Sequence, residues 1–294
     1  MTAATTLPAN PKLGDFLALA KPSITFLSVF TALGGLWLAP GTASWKLIGL
    51  TVLGTALVVA AANTLNCYLE RETDRFMTRT KDRPLPAGRM APKTALIFGL
   101  ALALISVPLL TFLVNPVTGI LAAIALISYV WIYTPMKQAS PAALIVGAVP
   151  GAMPPLLGWT AMTGQVEWPG LVLFGIMFIW QMPHFIAISM YREAEYGNAG
   201  IRTVANVHGA DSAKRQIFMW TALLVPFSFL LVPLNVSGYI YLATAVVLGA
   251  VFMYRAVQGF RAEDPNQWAR SLFLYSLVYL TALFAAVALD VMIV

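Results

Sequence analysis

The sequence predicts an all-α, polytopic integral membrane protein, with about nine transmembrane helices around a central cavity open to the cytoplasmic side. Three observations carry that expectation. Apolar runs of about 20 residues, the length a helix needs to cross the hydrocarbon core, recur along the whole chain. Of 294 residues, 59% are hydrophobic and only 10% are charged, and the mean hydropathy is +0.78, a balance unlike that of a soluble domain. The few charges are also crowded into short segments between the runs.

Taken in order, residues 1–14, "MTAATTLPANPKLG", lack both the apolar core of a signal peptide and the Arg-rich pattern of a transit peptide. They are expected to form a short cytoplasmic tail, and the host membrane to be a bacterial cytoplasmic membrane rather than the mitochondrial inner membrane. Residues 15–294 then form a single transmembrane domain, with spans near 16–38, 47–69, 93–112, 117–135, 142–162, 169–191, 215–234, 238–258 and 269–292. If these alternate in direction, Lys12, the basic residues from Arg71 to Lys93, Lys137, those from Arg192 to Arg215, and Arg255, Arg261 and Arg270 share one side. Lys46 alone falls clearly opposite, and Lys21 lies inside the first span. The positive-inside rule puts that basic side and the N-terminus in the cytoplasm and the C-terminus outside. The connections "APGTASW", "NPVTG", "MTGQVEWPG" and "LNVSG" then face outward. The sequence pI near 9.5 follows from this topology and calls for no nucleic acid. A single cysteine, Cys67, excludes an intramolecular disulfide and any multi-cysteine metal centre.

One stretch breaks the apolar pattern, "NTLNCYLERETDRFMTRTKDRPLPAG", residues 63–88. Asn66, Glu70 and Asp74 recur every four residues, which on a helix places them along one face beside Asn63. Carboxylate and amide oxygens are hard ligands suited to Mg²⁺, which commonly bridges protein carboxylates to a phosphorylated substrate. Arg75, Arg79, Lys81 and Arg83 come next, and these suit a diphosphate. The positive-inside bias alone accounts for the basic residues of a cytoplasmic loop, but not for the carboxylates. Four of the chain's twelve acidic residues lie between 70 and 82, where the file meets the membrane boundary and unpaired polar groups are costly. Glu72, about 200° round the helix from Glu70, is expected to be solvated.

A second polar cluster closes the sixth span, "WQMPHFIAISMYREAEYGNAGIRT". His184, Ile188, Tyr191 and Glu195 share a helical face, with Arg192 adjacent. His184 lies roughly 10 Å along the helix inward of Tyr191. Its imidazole could serve as a packing residue, a proton carrier or an iron ligand. His208, the only other histidine, falls in the loop "VANVHG". Between the clusters, "YTPMK" puts Lys137 at the boundary, and "VGAVPGAMPPLLGW" puts three prolines in the fifth span, the mark of a broken or closely packed helix lining a cavity.

Together these segments resemble the intramembrane UbiA-type prenyltransferases, and within them the branch that farnesylates protohaem IX to haem O. "NCYLERETDRFMTRTKDRPLPAG" is similar to that family's N-x-x-x-D-x-x-x-D motif with its R-T-x-x-R-P-L tail, and "WQMPHFIAISMYREAEYGNAGI" to its second motif. "LAKPSITFLSVFTALGG", "YTPMK", "VGAVPGAMPPLLGW" and "SLFLYSLVYLTALF" extend the likeness over nearly the whole chain. The resemblance implies that Asn66, Glu70 and Asp74 bind Mg²⁺ and the farnesyl diphosphate headgroup. It assigns Arg75, Arg79, Lys81, Arg83, Lys137 and Arg192 to the phosphates. Tyr191, Glu193, Glu195 and Tyr196 complete the pocket from the other side, Glu193 and Glu195 as further metal ligands, and His184 and His208 are haem-binding candidates. The implied catalytic set is Asn66, Glu70, Asp74, Tyr191 and Glu195. Haem B is the implied acceptor, with membrane lipid around the chain and haem A synthase or terminal-oxidase assembly proteins as neighbours. Glu70 departs from the family's Asp, and "GIRTVANVHG" from its "GIPMLPV", so the family's motif supplies no match for Arg202 and His208, and His208 stands as a haem-binding candidate on its residue type alone. Two other readings stay open: a UbiA-type transferase acting on an aromatic quinone precursor, and a secondary transporter, whose ion site would lie near the midplane of an inverted repeat.

Overall fold

The computed structural model describes residues 11–293, so the first ten residues of the expected tail lie outside the described part, and the tail's end is already helical. Among the described residues all regular structure is helical. The helices are α1 (Leu13–Ala20), α2 (Pro22–Leu38), α3 (Trp45–Leu69), α4 (Pro92–Pro108), α5 (Pro116–Ile127), α6 (Thr134–Met136), α7 (Ala143–Thr163), α8 (Trp168–Tyr191), α9 (Glu193–Asn198), α10 (Val204–His208), α11 (Ala210–Ser228), α12 (Tyr239–Gln258) and α13 (Pro265–Ile293). Seven helical segments are long and apolar enough to cross a membrane, and the bent pair α1–α2 makes an eighth. The chain is therefore a multi-pass membrane protein. The expected seventh span is what separates this count from nine: its helix, α11, starts at Ala210 and takes Asp211, Lys214 and Arg215 into its first turns.

Proline shapes the helices at the charged end. The residue before a proline is driven out of the α conformation, and Lys21, before Pro22, sits in the left-handed region with φ of 49°. The result is a 50° bend between α1 and α2. After Pro108, α4 continues into a π-helical turn, Leu109–Val114. A second π-turn, Ser128–Tyr133, joins α5 to α6, just ahead of Pro135, which has no N–H to give the preceding turn. Each extra residue in such a turn rotates the next stretch of helix about its axis.

Two apolar cores result. One gathers Val58 of α3, Leu110, Ala122 of α5, and Met153, Leu156 and Leu157 of α7. The larger lies among α8, α11, α12 and α13, around Trp180, Ile217, Phe252 and Tyr279. The α7–α8 pair joins them. Although Pro150, Pro154 and Pro155 lie inside it, α7 is unbroken, and of the two expectations for this segment it is close packing that holds. Gly35 of α2 lies directly against the Pro155 carbonyl, and Gly158 of α7 against the Ala32 carbonyl. Small residues let the two backbones touch, the usual way membrane helices gain packing without a hydrophobic drive between them. At the other end, buried Asp290 accepts from the N–H groups of Gly238 and Tyr241, both at 2.8 Å, and closes the N-terminus of α12.

Gly158→Ala places a methyl group on the Ala32 carbonyl and is expected to destabilise by about 1–3 kcal/mol, read as a lower melting temperature in detergent. Gly14→Ala, with open space around it, is expected to cause no loss. Equal melting temperatures for the Gly158 variant and the parent protein would contradict the backbone contact.

Candidate active site at the charged end of the bundle

The site is built where α3 runs out. The α-helix ends at Leu69, Glu70 is its cap, and Asp74 lies in a single 3-10 turn, Thr73–Phe76. The expected file survives this break because the Glu70 N–H bonds the Asn66 carbonyl at 2.9 Å and the Asp74 N–H bonds the Glu70 carbonyl at 2.8 Å. Asn66 and Asp74 are buried, at 1% and 3% exposure.

Each of the three oxygen-bearing side chains already holds a basic group from a different part of the chain. Lys21 Nζ donates to Asn66 Oδ1 at 2.9 Å, Lys137 Nζ meets Glu70 Oε1 at 2.7 Å, and Arg83 Nη1 meets Asp74 Oδ2 at 2.7 Å. Asn66 Nδ2 donates to Thr134 Oγ1 at 3.1 Å, and Thr134 Oγ1 in turn donates to the Tyr129 carbonyl at 2.8 Å across the second π-turn. That chain of bonds aims the amide oxygen of Asn66 at Lys21. Glu70 and Lys137 are only 16% and 17% exposed, so removing either partner strands a poorly solvated charge, at a cost of about 3–5 kcal/mol. Burial works against the charge on Arg83, but the negative groups around it, the Asp74 carboxylate first among them, together outweigh this and raise its pKa. Burial also disfavours the Lys137 ammonium, while Tyr133, Glu70 and Tyr129 outweigh it and raise its pKa. Lys137 additionally sits over the Tyr133 ring, 4.4 Å from its centroid.

The remaining basic residues of the first cluster are differently disposed. Arg75 is exposed and turned to Glu72, 3.0 Å away. Arg79 and Lys81 are exposed, and among the described residues neither has an acidic partner within ion-pair distance.

The second cluster stands at the same end. Tyr191 packs on Phe273 with ring centroids 5.8 Å apart and lies under the Arg192 guanidinium, and Arg192 pairs with Glu195 at 3.3 Å. Glu193 is exposed at the start of α9. Burial raises the pKa of Tyr196, opposed first by Arg79, and Tyr133, Lys137 and Arg192 also act on it. A backbone bond closes the gap: the Arg202 N–H donates to the Lys137 carbonyl at 3.0 Å, so "GIRT" straps the second cluster onto the lysine of the first. His208 is exposed at the end of α10, and among the described residues no hydrogen bond or ring contact brings it to the site. His184 is buried on α8 among Trp180, Phe185 and Phe273.

Lys21 and Thr134 are the residues that sequence reasoning missed. A lysine inside an apolar run and directly before a proline was the available signal for Lys21. Thr134 carried none, because its orientation depends on the π-turn.

Among the described residues no three His, Cys, Asp or Glu side chains form a ready-made metal cluster. The donor set at the end of α3 nonetheless suits a hard cation: one amide oxygen and two carboxylates, each already facing positive charge. What this end can do chemically is hold a polyanion and a divalent ion together, over an apolar interior.

Comparison with known proteins agrees with this geometry. The model of the UbiA prenyltransferase family matches residues 28–278. The protoheme IX farnesyltransferase of Myxococcus xanthus (strain DK1622) is 49% identical over 94% of each chain. That of Anaeromyxobacter dehalogenans (strain 2CP-C) is 50% identical over 95% of this chain and 94% of its own. Among solved structures, a digeranylgeranylglyceryl phosphate synthase superimposes with a TM-score of 0.82 at 19% identity, covering 96% of this chain and 99% of the other. A UbiA homolog from Archaeoglobus fulgidus, solved bound to GPP and Mg²⁺, superimposes with a TM-score of 0.64 at 17% identity, covering 93% and 99%. A basic and acidic end assembled from distant segments, a helical membrane fold shared with these structures, and a family match spanning most of the sequence lead to one conclusion: this chain belongs to the UbiA prenyltransferase family.

Proposed function

We propose that this chain transfers the farnesyl group of farnesyl diphosphate to a vinyl group of protohaem IX, with addition of water, giving haem O and diphosphate. The observation that carries this reading is 49–50% identity, over nearly the whole of both chains, to relatives named protoheme IX farnesyltransferase. The charged end faces the cytoplasm of a bacterial cell and receives the diphosphate headgroup, while the farnesyl chain extends into the apolar interior.

In this reading Asn66, Glu70 and Asp74 would hold Mg²⁺, with Glu195 and Glu193 available to contribute from the second cluster. Bound there, the ion neutralises charge on the diphosphate. The chain's own residues do the rest. Lys137, Arg83 and Lys21 are drawn to the site by the acidic and amide groups they touch, and they turn to the phosphate oxygens when those arrive. Arg79 and Lys81 are free to join them, while Arg192 joins from the second cluster on leaving Glu195 and Arg75 on leaving Glu72. These cations stabilise the electron pair that departs with the diphosphate as the bond from the allylic carbon to oxygen breaks. Tyr191 and Phe273 wall the site against water, so the farnesyl cation survives until the haem vinyl group attacks it. That attack forms the new carbon–carbon bond. The cation left beside the porphyrin takes up water, which loses one proton and becomes the hydroxyl group. His184 orients the porphyrin from the inner part of α8, and haem A synthase or oxidase assembly proteins receive the product.

The aromatic-acceptor reading shares the diphosphate half of this site, but the full-length identity to haem-farnesylating relatives favours haem. A transporter is not supported, since the carboxylates gather at one end instead of the midplane.

Asp74→Asn removes the charge that pairs with Arg83 and replaces a carboxylate ligand with a weaker, neutral amide. Turnover by purified, folded protein, followed as haem O by mass spectrometry, is expected to fall roughly 100-fold or more. Chelator added to the unaltered protein is expected to do the same. Glu70→Asp keeps a carboxylate toward Lys137 and is expected to retain substantial activity. Full turnover by Asp74→Asn, or in excess chelator, would overturn the metal–diphosphate assignment.

Orientation has its own test. In a Cys67→Ser background, cysteines at exposed Thr42 and Gln165 are expected to react with an impermeant thiol reagent added to intact cells, and one at exposed Glu263 only after lysis. The reverse pattern would invert the topology.

A further inference from the structure

His184 is held more specifically than a packing histidine needs to be. Its Nδ1 lies 2.7 Å from Ser276 Oγ, and the same hydroxyl lies 2.6 Å from the Phe273 carbonyl oxygen one turn back on α13. A serine hydroxyl has one hydrogen to give. Two oxygens at 2.6 Å with no proton between them repel, so that hydrogen belongs to the Phe273 carbonyl. The proton in the second short contact then comes from the imidazole, as Nδ1–H. In the neutral ring this leaves Nε2 as a bare lone pair. Among the described residues Nε2 has no hydrogen-bond partner, and it is not one of the fully enclosed orphan atoms of the chain.

The ring's plane is fixed as well. It stacks on Trp180 with centroids 4.5 Å apart and an interplanar angle of 27°, and Phe273 lies 4.7 Å away on a tilt. Trp180 is itself anchored by donating Nε1–H to the Ser276 backbone carbonyl at 2.7 Å. One residue thus holds the imidazole with its side chain and the imidazole's stacking partner with its backbone. Ligating histidines are presented to metals in this way, with one ring nitrogen donating to a fixed acceptor so that the other faces the metal.

We infer that Ser276 is a positioning residue, which sets the Nδ1–H tautomer of His184 and presents Nε2 as an axial ligand to porphyrin iron. The inference rests on the haem-acceptor reading above for the identity of the ligand, but not for the tautomer.

Two measurements on the full-length protein in detergent test it. With only two histidines in the chain, ¹⁵N-histidine labelling in a His208→Gln background leaves His184 as the sole imidazole signal, expected as the Nδ1–H tautomer. A dominant Nε2–H tautomer would refute the inference. Haem B is then titrated and followed by its Soret band, with farnesyl diphosphate binding measured in parallel. Ser276→Ala keeps the backbone carbonyl that anchors Trp180. It is expected to weaken haem binding about 10–100-fold and shift the Soret band, with diphosphate binding unchanged and Ser276→Thr restoring the band. If His184→Ala abolishes haem binding while Ser276→Ala leaves it intact, or if His184→Ala has no effect, the inference fails and the haem-acceptor reading stands. If the unaltered protein binds no haem, the acceptor reading fails and, with it, the ligand role given to Nε2.

Discussion

A carboxylate buried at the charged end of a membrane bundle needs a polar partner, best of all a cation, because low-dielectric surroundings make an unpaired charge far more costly there than at a wet surface. Glu70 with Lys137 and Asp74 with Arg83 meet that condition, and the organisation of this end follows from how they meet it. The partners come from elsewhere in the sequence, so pairing draws the turn after α6 and the segment beyond Met77 over the end of α3. Arg89 adds a further tie, reaching Asp15 of α1 at 2.9 Å. The segment from 70 to 91 has little regular structure of its own, and these bonds order it. The same groups are the ones the proposed metal–diphosphate site would use.

Proline supplies the geometry that makes those pairings reachable. The bend at Pro22 turns Lys21 to Asn66, and the π-turn before Pro135 turns Thr134 to the other side of the same amide. Each is a local departure from α-helix forced by a residue that cannot donate a backbone hydrogen bond or that restricts its predecessor. Where proline does not break the helix, as in α7, glycine contacts with α2 lock it in place and keep the two apolar cores in fixed register.

The separation of the two halves of the site has a functional reading. Cations and oxygen-bearing side chains occupy the rim, where the proposed diphosphate would arrive from water. His184 and its aromatic neighbours occupy the interior, where in the proposed reaction an allylic cation would be shielded from water until it meets its acceptor. Tyr191 and Phe273 connect them, since Phe273 touches both the rim tyrosine and the buried imidazole.

Helix positions were legible in the sequence because they depend on uninterrupted apolar length, a property of each segment alone; the expected spans 47–69 and 238–258 lie close to Trp45–Leu69 and Tyr239–Gln258. So was the file of Asn66, Glu70 and Asp74, since a four-residue repeat survives the change from α-helix to a tighter turn. The charged first turns of α11 show the limit of that reading, for hydropathy alone does not say where a helix passes from rim to interior. Sequence could not say which cation meets which carboxylate, that Arg75 turns away to Glu72, that Lys21 and Thr134 share Asn66, or that Ser276 selects a tautomer 92 positions away along the chain. Those depend on pairwise distances between segments far apart in sequence, and only the packing of the helices brings them within bonding range.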